Sequence, residues 1–409
     1  MNSACPLIPS FDFLDLDLFA AGHPHHLWQA LRLHAPVYWH QKSGRAGFWL
    51  ITKHADVVTV SRDSSTFSSH RGVGLPGPED SSAPPDEYLP VKEPFLDLLD
   101  PPDHTRMRRL FSRLFTPQAL KSLEVVVRHF GNEALDRMTA HGRADLVTDF
   151  ARRVPLAVLS WFMGLPQDDW RRLAEWTELQ TPDFSSDQID PERAAASAAG
   201  LDELSTYLSQ VIRDHEREPR GDLIGQLLML EGDGQLTHAD VMRFCLLLIG
   251  VGHETTREAL CGGMVELLEH SEQLLRLRRD PSLVDTMVEE ILRWTSPVVF
   301  FGRFVTRDAT LSDQKISAGE RVITVFPAAN FDEEVFAAPN QFDVGREPND
   351  HVAFGAGHHF CLGAALARLQ LRTLIPLVFE RLPKVELAGT PQRTRSNFLV
   401  GYSHVPIRF

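Results

Sequence analysis

The sequence predicts a mainly α-helical protein with small β-sheets, an α+β chain. Three observations carry that expectation. Helical periodicity dominates two long stretches, Leu120 to about Glu218 and from Thr237 onward. Alternating, β-branched and aromatic runs are short and sit in two places, VYWH with GFWLIT near the start and the segment after Pro297. Prolines and acidic or serine-containing turns separate the helices, without an internal repeat.

Taken in order, residues 1–20 read as an irregular lead-in, and His25 to His34 as a helix. VYWH and GFWLIT are strand candidates joined by QKSGRA, a plausible hairpin. Lys53 to Arg62 returns to helix. Asp63 opens a long Ser-, Gly- and Pro-rich loop, which is either substrate-facing or disordered. Asp100-Pro-Pro marks a turn, and a basic helix starts at His104, with His104 and Arg108 on one face. Arg106, Arg108, Arg109 and Arg113 form either a solvated face or the contact for an anion.

Thr237 with Asp240 is a capping-box variant that opens a proline-free helical pattern of about 33 residues, about 50 Å long. Its middle is unusual. Gly250, Gly252, His253, Glu254, Thr255 and Thr256 interrupt a very apolar run. Glycine costs about 1 kcal/mol inside a helix. The segment is either a close-packed glycine pair beside a polar patch or a widened helix that faces a ligand. Asp280-Pro281 opens the next helix, which carries Glu290 and Arg293 at i, i+3. Strands follow Pro297, with turns at SDQ and AGE. A proline- and acid-rich meander comes next, then a glycine loop, a last helix, and short strands near VELAG and LVGYSHVPIRF.

Composition narrows the function. The chain has 409 residues, 43% hydrophobic, and a net charge of −14, which argues against non-specific nucleic-acid binding. Its 4 cysteines show no CxxC and no iron–sulfur spacing, so a reducing compartment is expected. The acidic N-terminus reads as neither a secretory signal nor a membrane anchor. The longest apolar run, Phe244 to Gly252, falls far short of the roughly 20 residues of a spanning helix. A cytoplasmic location is the expectation.

The most informative stretch is FGAGHHFCLGAALAR, Phe354 to Arg368. Gly355, Gly357 and Gly363 allow tight turns and close approach to a flat object. Cys361 stands where the last helical pattern begins, and a helix N-terminus favours thiolate. A thiolate there is a metal ligand or a nucleophile. The chain supplies no base and oxyanion donors at a recognisable spacing for the second role.

This stretch is similar to the cysteine-ligand loop of the cytochrome P-450 superfamily, FGxGxHxCxGxxLAR, at every fixed position. GHETT resembles that family's (A/G)GxE/DT segment, EILR its ExxR, and AANFDEEVFAAPNQFD its meander. The resemblance runs from about Val37 to the end. It implies a triangular-prism fold in a single domain, residues 1–409, with a long central helix over haem b. Cys361 would be the iron ligand, tuned by backbone N–H groups around Leu362 and Gly363. His104, Arg108, Arg303 and His359 would pair with the haem propionates, and Phe354, Gly355 and Gly363 would line the haem. Glu290 and Arg293 would form a buried structural pair. Thr255 and Glu254 would deliver protons to dioxygen during its cleavage.

The implied activity is a monooxygenase that puts one oxygen atom from O2 into an apolar small molecule, most simply by hydroxylation. Epoxidation or oxidative coupling is an alternative, and a non-catalytic haem sensor or carrier a weaker one. The pocket would draw on residues 72–90, 248–251, 298–301 and 398–400, with Leu248, Val251, Val299, Phe300, Phe398 and Leu399 singled out. The substrate could be tethered to a carrier protein. Electrons would come from a separate ferredoxin with its reductase, or from a flavodoxin-like donor. Two departures stand out. Val251 replaces a residue that is often Ala or Gly, and Phe331 replaces a frequent Arg.

Overall fold

A computed structural model describes residues 8, 10–41, 46–76, 94–139, 142–180 and 191–409. Residues 42–45 of the QKSGRA turn and residues 77–90 of the substrate-loop stretch lie outside them, but the two strands joined by that turn do pair antiparallel, Val37 opposite Ile51 and His40 opposite Phe48. The N-terminal part holds α1 (His25–His34), β1 (Val37–His40), β2 (Phe48–Ile51), α2 (His54–Arg62) and β3 (Phe67–Ser68). The helical part runs through α3 (Asp103–Ser112), α4 (Pro117–Leu120), α5 (Leu123–Met138), β4 (Arg143–Asp145), α6 (Arg153–Met163), α7 (Trp170–Gln180), α8 (Pro191–Arg217) and α9 (Leu223–Gly232). It continues with α10 (His238–Val251), α11 (Glu254–Glu269), α12 (Ser271–Arg279) and α13 (Val284–Thr295). Strands β5 (Phe300–Val305), β6 (Ala309–Leu311), β7 (Gln314–Ile316) and β8 (Arg321–Val325) follow, then α14 (Phe326–Ala329) and α15 (Ala364–Arg381). The chain closes with β9 (Glu386–Leu387), β10 (Gln392–Arg393), β11 (Tyr402–His404) and β12 (Pro406–Arg408).

The fold is thus predominantly helical with small sheets. The largest sheet has the order β1-β2-β8-β5-β3, and only the β2–β8 pairing is parallel. Side-chain alternation gives this sheet two apolar faces. Phe48, Leu50, Phe300 and Ile323 join a cluster with Phe13, Phe19 and Trp28. Trp49, Ile51, Val305 and Val322 join another with Val57 and Phe326. The described part of the lead-in is irregular as expected, apart from a 3₁₀ turn at Leu16–Phe19, yet it is anchored, because Phe13 and Phe19 are fully buried. The SDQ turn closes the β6–β7 hairpin, with Ser312 and Asp313 both at positive φ, 42° and 63°. Two such residues in succession match the twist of the flanking strands.

The third and largest cluster lies among the helices. α5 packs on α15, and α11 packs on both α13 and α15. The expected 33-residue helix is two helices. The capping box at Thr237 and Asp240 starts α10 as foreseen. The helix then breaks after Val251 and resumes at Glu254. His253 leaves helical geometry, at φ −125° and ψ −36°, and its buried ring lies 3.3 Å through Nε2 from Thr177 Oγ1 on α7. A helical pattern records periodicity only; a side-chain anchor outside the helix is invisible to it.

Candidate active site

The glycine loop is held from both sides. Cys361 N–H donates to the Phe354 carbonyl at 2.8 Å and so closes the loop on itself. Gly357 has φ +66°, and a Cβ there would lie 2.2 Å from the Ser61 carbonyl oxygen at the end of α2. That contact demands glycine. Phe354 lies under the Arg368 guanidinium at 4.6 Å, and Arg368 forms two 2.7 Å bonds with Glu289 on α13. Burial pushes Glu289 up, but Arg368 and His351 outweigh it and leave its pKa at about 2. Glu289, His351 and Arg368 were not singled out from the sequence, although Glu289 is adjacent to the ExxR glutamate.

Cys361 keeps accessible surface, yet burial is the largest influence on its thiol and raises the pKa. Both hold for a sulfur at the wall of an internal space. The N–H groups at the helix start do pull the thiol's pKa down, in the expected direction, against that burial. α15 starts only at Ala364, and the N–H groups of Gly363 and Ala364, with Arg108 and Arg368, pull down less than burial pushes up. The sulfur's backbone donors are Gly363 and Ala364, not Leu362. Gly363 has an ordinary φ of −81°. A Cβ there would meet only Cys361 Sγ, at 3.9 Å. The backbone does not require glycine at this point, and open space lies beside the sulfur.

Four cationic or imidazole side chains converge near this loop from three elements. His104 and Arg108 come from α3, Arg303 from β5, and His359 from the loop. The His104 and His359 rings are 4.3 Å apart, and His359 Nε2 lies 3.1 Å from Ser69 Oγ. His104 is buried, and neither ring nitrogen has a hydrogen-bond partner. Burial, then Arg108, pushes its pKa down to about 4. Burial, then Arg303, pushes His359 down to about 2. Burial also lowers Arg303, to about 10, against the pull of Asp100 and Asp97. The Arg303 guanidinium bonds only a carbonyl of its own strand, Gly302, at 2.7 Å among the described residues. Crowded cations with orphaned donors fit an anionic group, here the two carboxylates of a haem. The open space at Gly363 fits the flat macrocycle.

Glu290 and Arg293 are fully buried and joined by two 2.8 Å bonds. Arg293 also donates to the Asn330 and Pro339 carbonyls, at 2.9 and 3.0 Å. Glu290 further accepts from Arg346, Asn349 and the Asp343 N–H. Phe331, in place of a frequent Arg, packs under Arg293 at 4.7 Å and against Trp294.

At the helix break, Thr255 Oγ1 approaches the Val251 carbonyl only to 3.4 Å. Glu254 is buried and pairs with Arg257 at 3.1 Å, and Arg257 also binds Glu258. Glu258 in turn accepts from the Tyr402 N–H at 2.9 Å. Arg257 and Glu258 had no sequence signal beyond i, i+3 spacing. Val251 is 53% exposed although it lies mid-molecule, whereas Leu248 is buried in the helical core. Val299 and Phe300 do not line an open surface, because both are fully buried in the cluster behind the large sheet. Leu399 is also buried and bridges Val298. Val298 and Phe301, on either side of Val299 and Phe300, are half-buried, with Phe398 6.0 Å from Phe301.

The cytochrome P-450 family matches residues 177–400. Cytochrome P-450 126 of Mycobacterium tuberculosis is 35% identical over 98% of this chain and 97% of its own. The chain belongs to the cytochrome P-450 family. The steroid C26-monooxygenase of Rhodococcus jostii is 33% identical over 99% of this chain and 86% of its own. Among solved structures, P-450BioI in complex with hexadec-9Z-enoic acid ligated acyl carrier protein superposes with a TM-score of 0.85. That neighbour is 28% identical, covering 95% of this chain and 98% of the other. The protein is a cytochrome P-450 monooxygenase, and its cofactor is protoporphyrin IX haem. None of the described helices is long and apolar enough to cross a membrane.

Proposed function

We propose that this monooxygenase hydroxylates an elongated apolar small molecule of the steroid or fatty-acyl class, in a single catalytic domain located in the cytoplasm. The carrying observation is the juxtaposition at the helix break. An exposed apolar Val251 stands one turn from the Thr255 hydroxyl and the buried Glu254 carboxylate. The overall balance is RH + O2 + two electrons + two protons giving ROH + H2O. The similarity to a steroid monooxygenase and to a fatty-acyl carrier complex supports the substrate class. Val298, Phe301 and Phe398 would form the apolar wall.

Cys361 Sγ would hold the iron, with the Gly363 and Ala364 N–H groups directed at it. His104, Arg108, Arg303 and His359 would hold the two carboxylates, and Phe354, Gly355 and Gly363 the macrocycle. Haem supplies reductive activation of dioxygen, favoured by an electron-rich thiolate ligand. Thr255 Oγ1 would hold the first proton, and Glu254 would replenish it after exchanging its Arg257 partner for water. Glu290 and Arg293 support the loop without touching reactants. Electrons would reach the enzyme from a separate ferredoxin or flavodoxin-like protein. The exposed Arg106, Arg109 and Arg113 offer a complementary surface to an acidic donor.

A panel of steroids, free fatty acids and carrier-linked acyl chains tests this reading. A type I spectral shift followed by an alcohol product is expected for one of these classes. Exclusive binding of polar compounds, or an epoxide as the sole product, would overturn it.

A further inference from the structure

We propose that Glu216, Glu231 and His238 form a binding site for a zinc-class divalent cation that clamps three helices together. Glu216 lies in the last turn of α8, Glu231 in the last turn of α9, and His238 in the first turn of α10. One donor atom from each lies within 4.8 Å of the other two. His238 Nδ1 is 3.4 Å from Glu231 Oε1 and 3.8 Å from Glu216 Oε1. Neither contact is a hydrogen bond, which would bring such atoms to about 2.8 Å. Ligands at 2.0–2.1 Å around a tetrahedral ion stand about 3.3 Å apart, which is close to the observed spacing.

The donor chemistry selects the ion. One imidazole and two carboxylates suit zinc and its first-row neighbours, with water completing the shell. The arginines flanking this segment are engaged elsewhere, Arg217 with Asp214 and Arg220 with Glu218. Among the described residues, His238 is the basic group that lies against both carboxylates. The backbone beneath each donor is also fixed. His215 Nε2 binds Asp222 at 3.0 Å and pins the end of α8 to the start of α9. The Gly234 N–H donates to the Glu231 carbonyl at 2.8 Å, and the Thr237–Asp240 capping box fixes the start of α10. Such pinning lowers the ordering cost of binding. The site is independent of the haem chemistry, so its failure leaves the proposed function untouched.

The test uses chelator-treated holoenzyme titrated with zinc chloride, followed by calorimetry and thermal unfolding. One zinc per chain and a rise in melting temperature of about 2 °C or more at saturating metal are expected. His238→Ala and Glu231→Gln should each weaken binding at least tenfold and abolish the thermal shift. His34→Ala, an exposed histidine elsewhere, should change neither. Undiminished binding in both site variants would overturn the proposal. So would failure of zinc to bind at millimolar concentration while Glu231→Gln alone lowers the melting temperature, the mark of a plain ion pair.

Discussion

Two clusters of buried charge flank the cysteine loop, and they are built on opposite terms. Around Glu290, every charge has a partner within the chain. Arg293, Arg346, Asn349 and a backbone N–H surround one carboxylate, and Arg293 spends its remaining donors on two carbonyls. Around His104, Arg108, Arg303 and His359, burial and the two guanidiniums push both imidazoles toward the neutral form, and His104 has no partner on either nitrogen. The first cluster pairs its charges within the chain. The second leaves donors that an anion from outside would complete. A buried network whose charges are paired marks scaffold, and one with unpartnered donors marks a candidate binding site.

The sharpest way to break this contrast is to remove one partner from the satisfied cluster. Glu290→Ala or Arg293→Ala strands a buried charge at a cost of about 3–5 kcal/mol. Neither variant should take up haem, and recovery of a full haem complement would show that the network is dispensable. Cys361→Ala should lose the thiolate-type band of the reduced carbon-monoxide spectrum together with all monooxygenase activity; retention of that band would assign the ligand elsewhere.

The unsatisfied cluster should respond with the opposite sign. Arg303→Gln removes a buried cation that the apoprotein does not need. Apoprotein stability should change by less than ~1 kcal/mol, while haem dissociates at least about tenfold faster. Haem transfer to an acceptor globin measures the second quantity and denaturant unfolding the first. Equal losses in both would erase the distinction. Thr255→Ala, at a third polar group with an incomplete bond, should leave haem and substrate binding intact. Product formed per electron pair should fall by about tenfold, with peroxide accounting for the difference. Unchanged coupling would relieve Thr255 of its role.

The smallest effect is a pH slope. Glu289 has a folded pKa of about 2, below its ordinary value of 4.5. Its contribution is therefore present above pH 4.5 and is lost as pH falls toward 2. Glu289→Gln should flatten acid unfolding in that window, by on the order of 1–2 kcal/mol. A variant with the slope of the parent would place the acid sensitivity in other groups.

Much of the fold was legible because it rests on local rules. The capping box at Thr237, the Ser312–Asp313 turn and the loop around Cys361 are each set by residues a few positions apart. The sequence also marked basic side chains that the fold gathers, since His104 and Arg108 share a helix face and His359 lies 4.3 Å from His104. Pocket residues were harder to read. Val299 and Phe300 look like lining residues, yet both are fully buried in the cluster with Phe13 and Trp28, while Val298 and Phe301 on either side are half-buried. Which of four neighbouring apolar residues is covered depends on what packs against the sheet.

By itself, then, the sequence determined the family and picked out the glycine loop around Cys361, because those depend on residue type at fixed spacing. Only the tertiary structure decided how the groups around that loop behave. It split the expected long helix at His253, through a contact with Thr177 that lies 76 positions away in sequence. It set burial of the Cys361 sulfur against the Gly363 and Ala364 N–H groups, a balance that depends on everything packed around the sulfur. It tied Glu254 to Arg257 and brought three metal-capable side chains together from three helices. Desolvation and long-range contacts are sums over the whole chain, and no local pattern carries them.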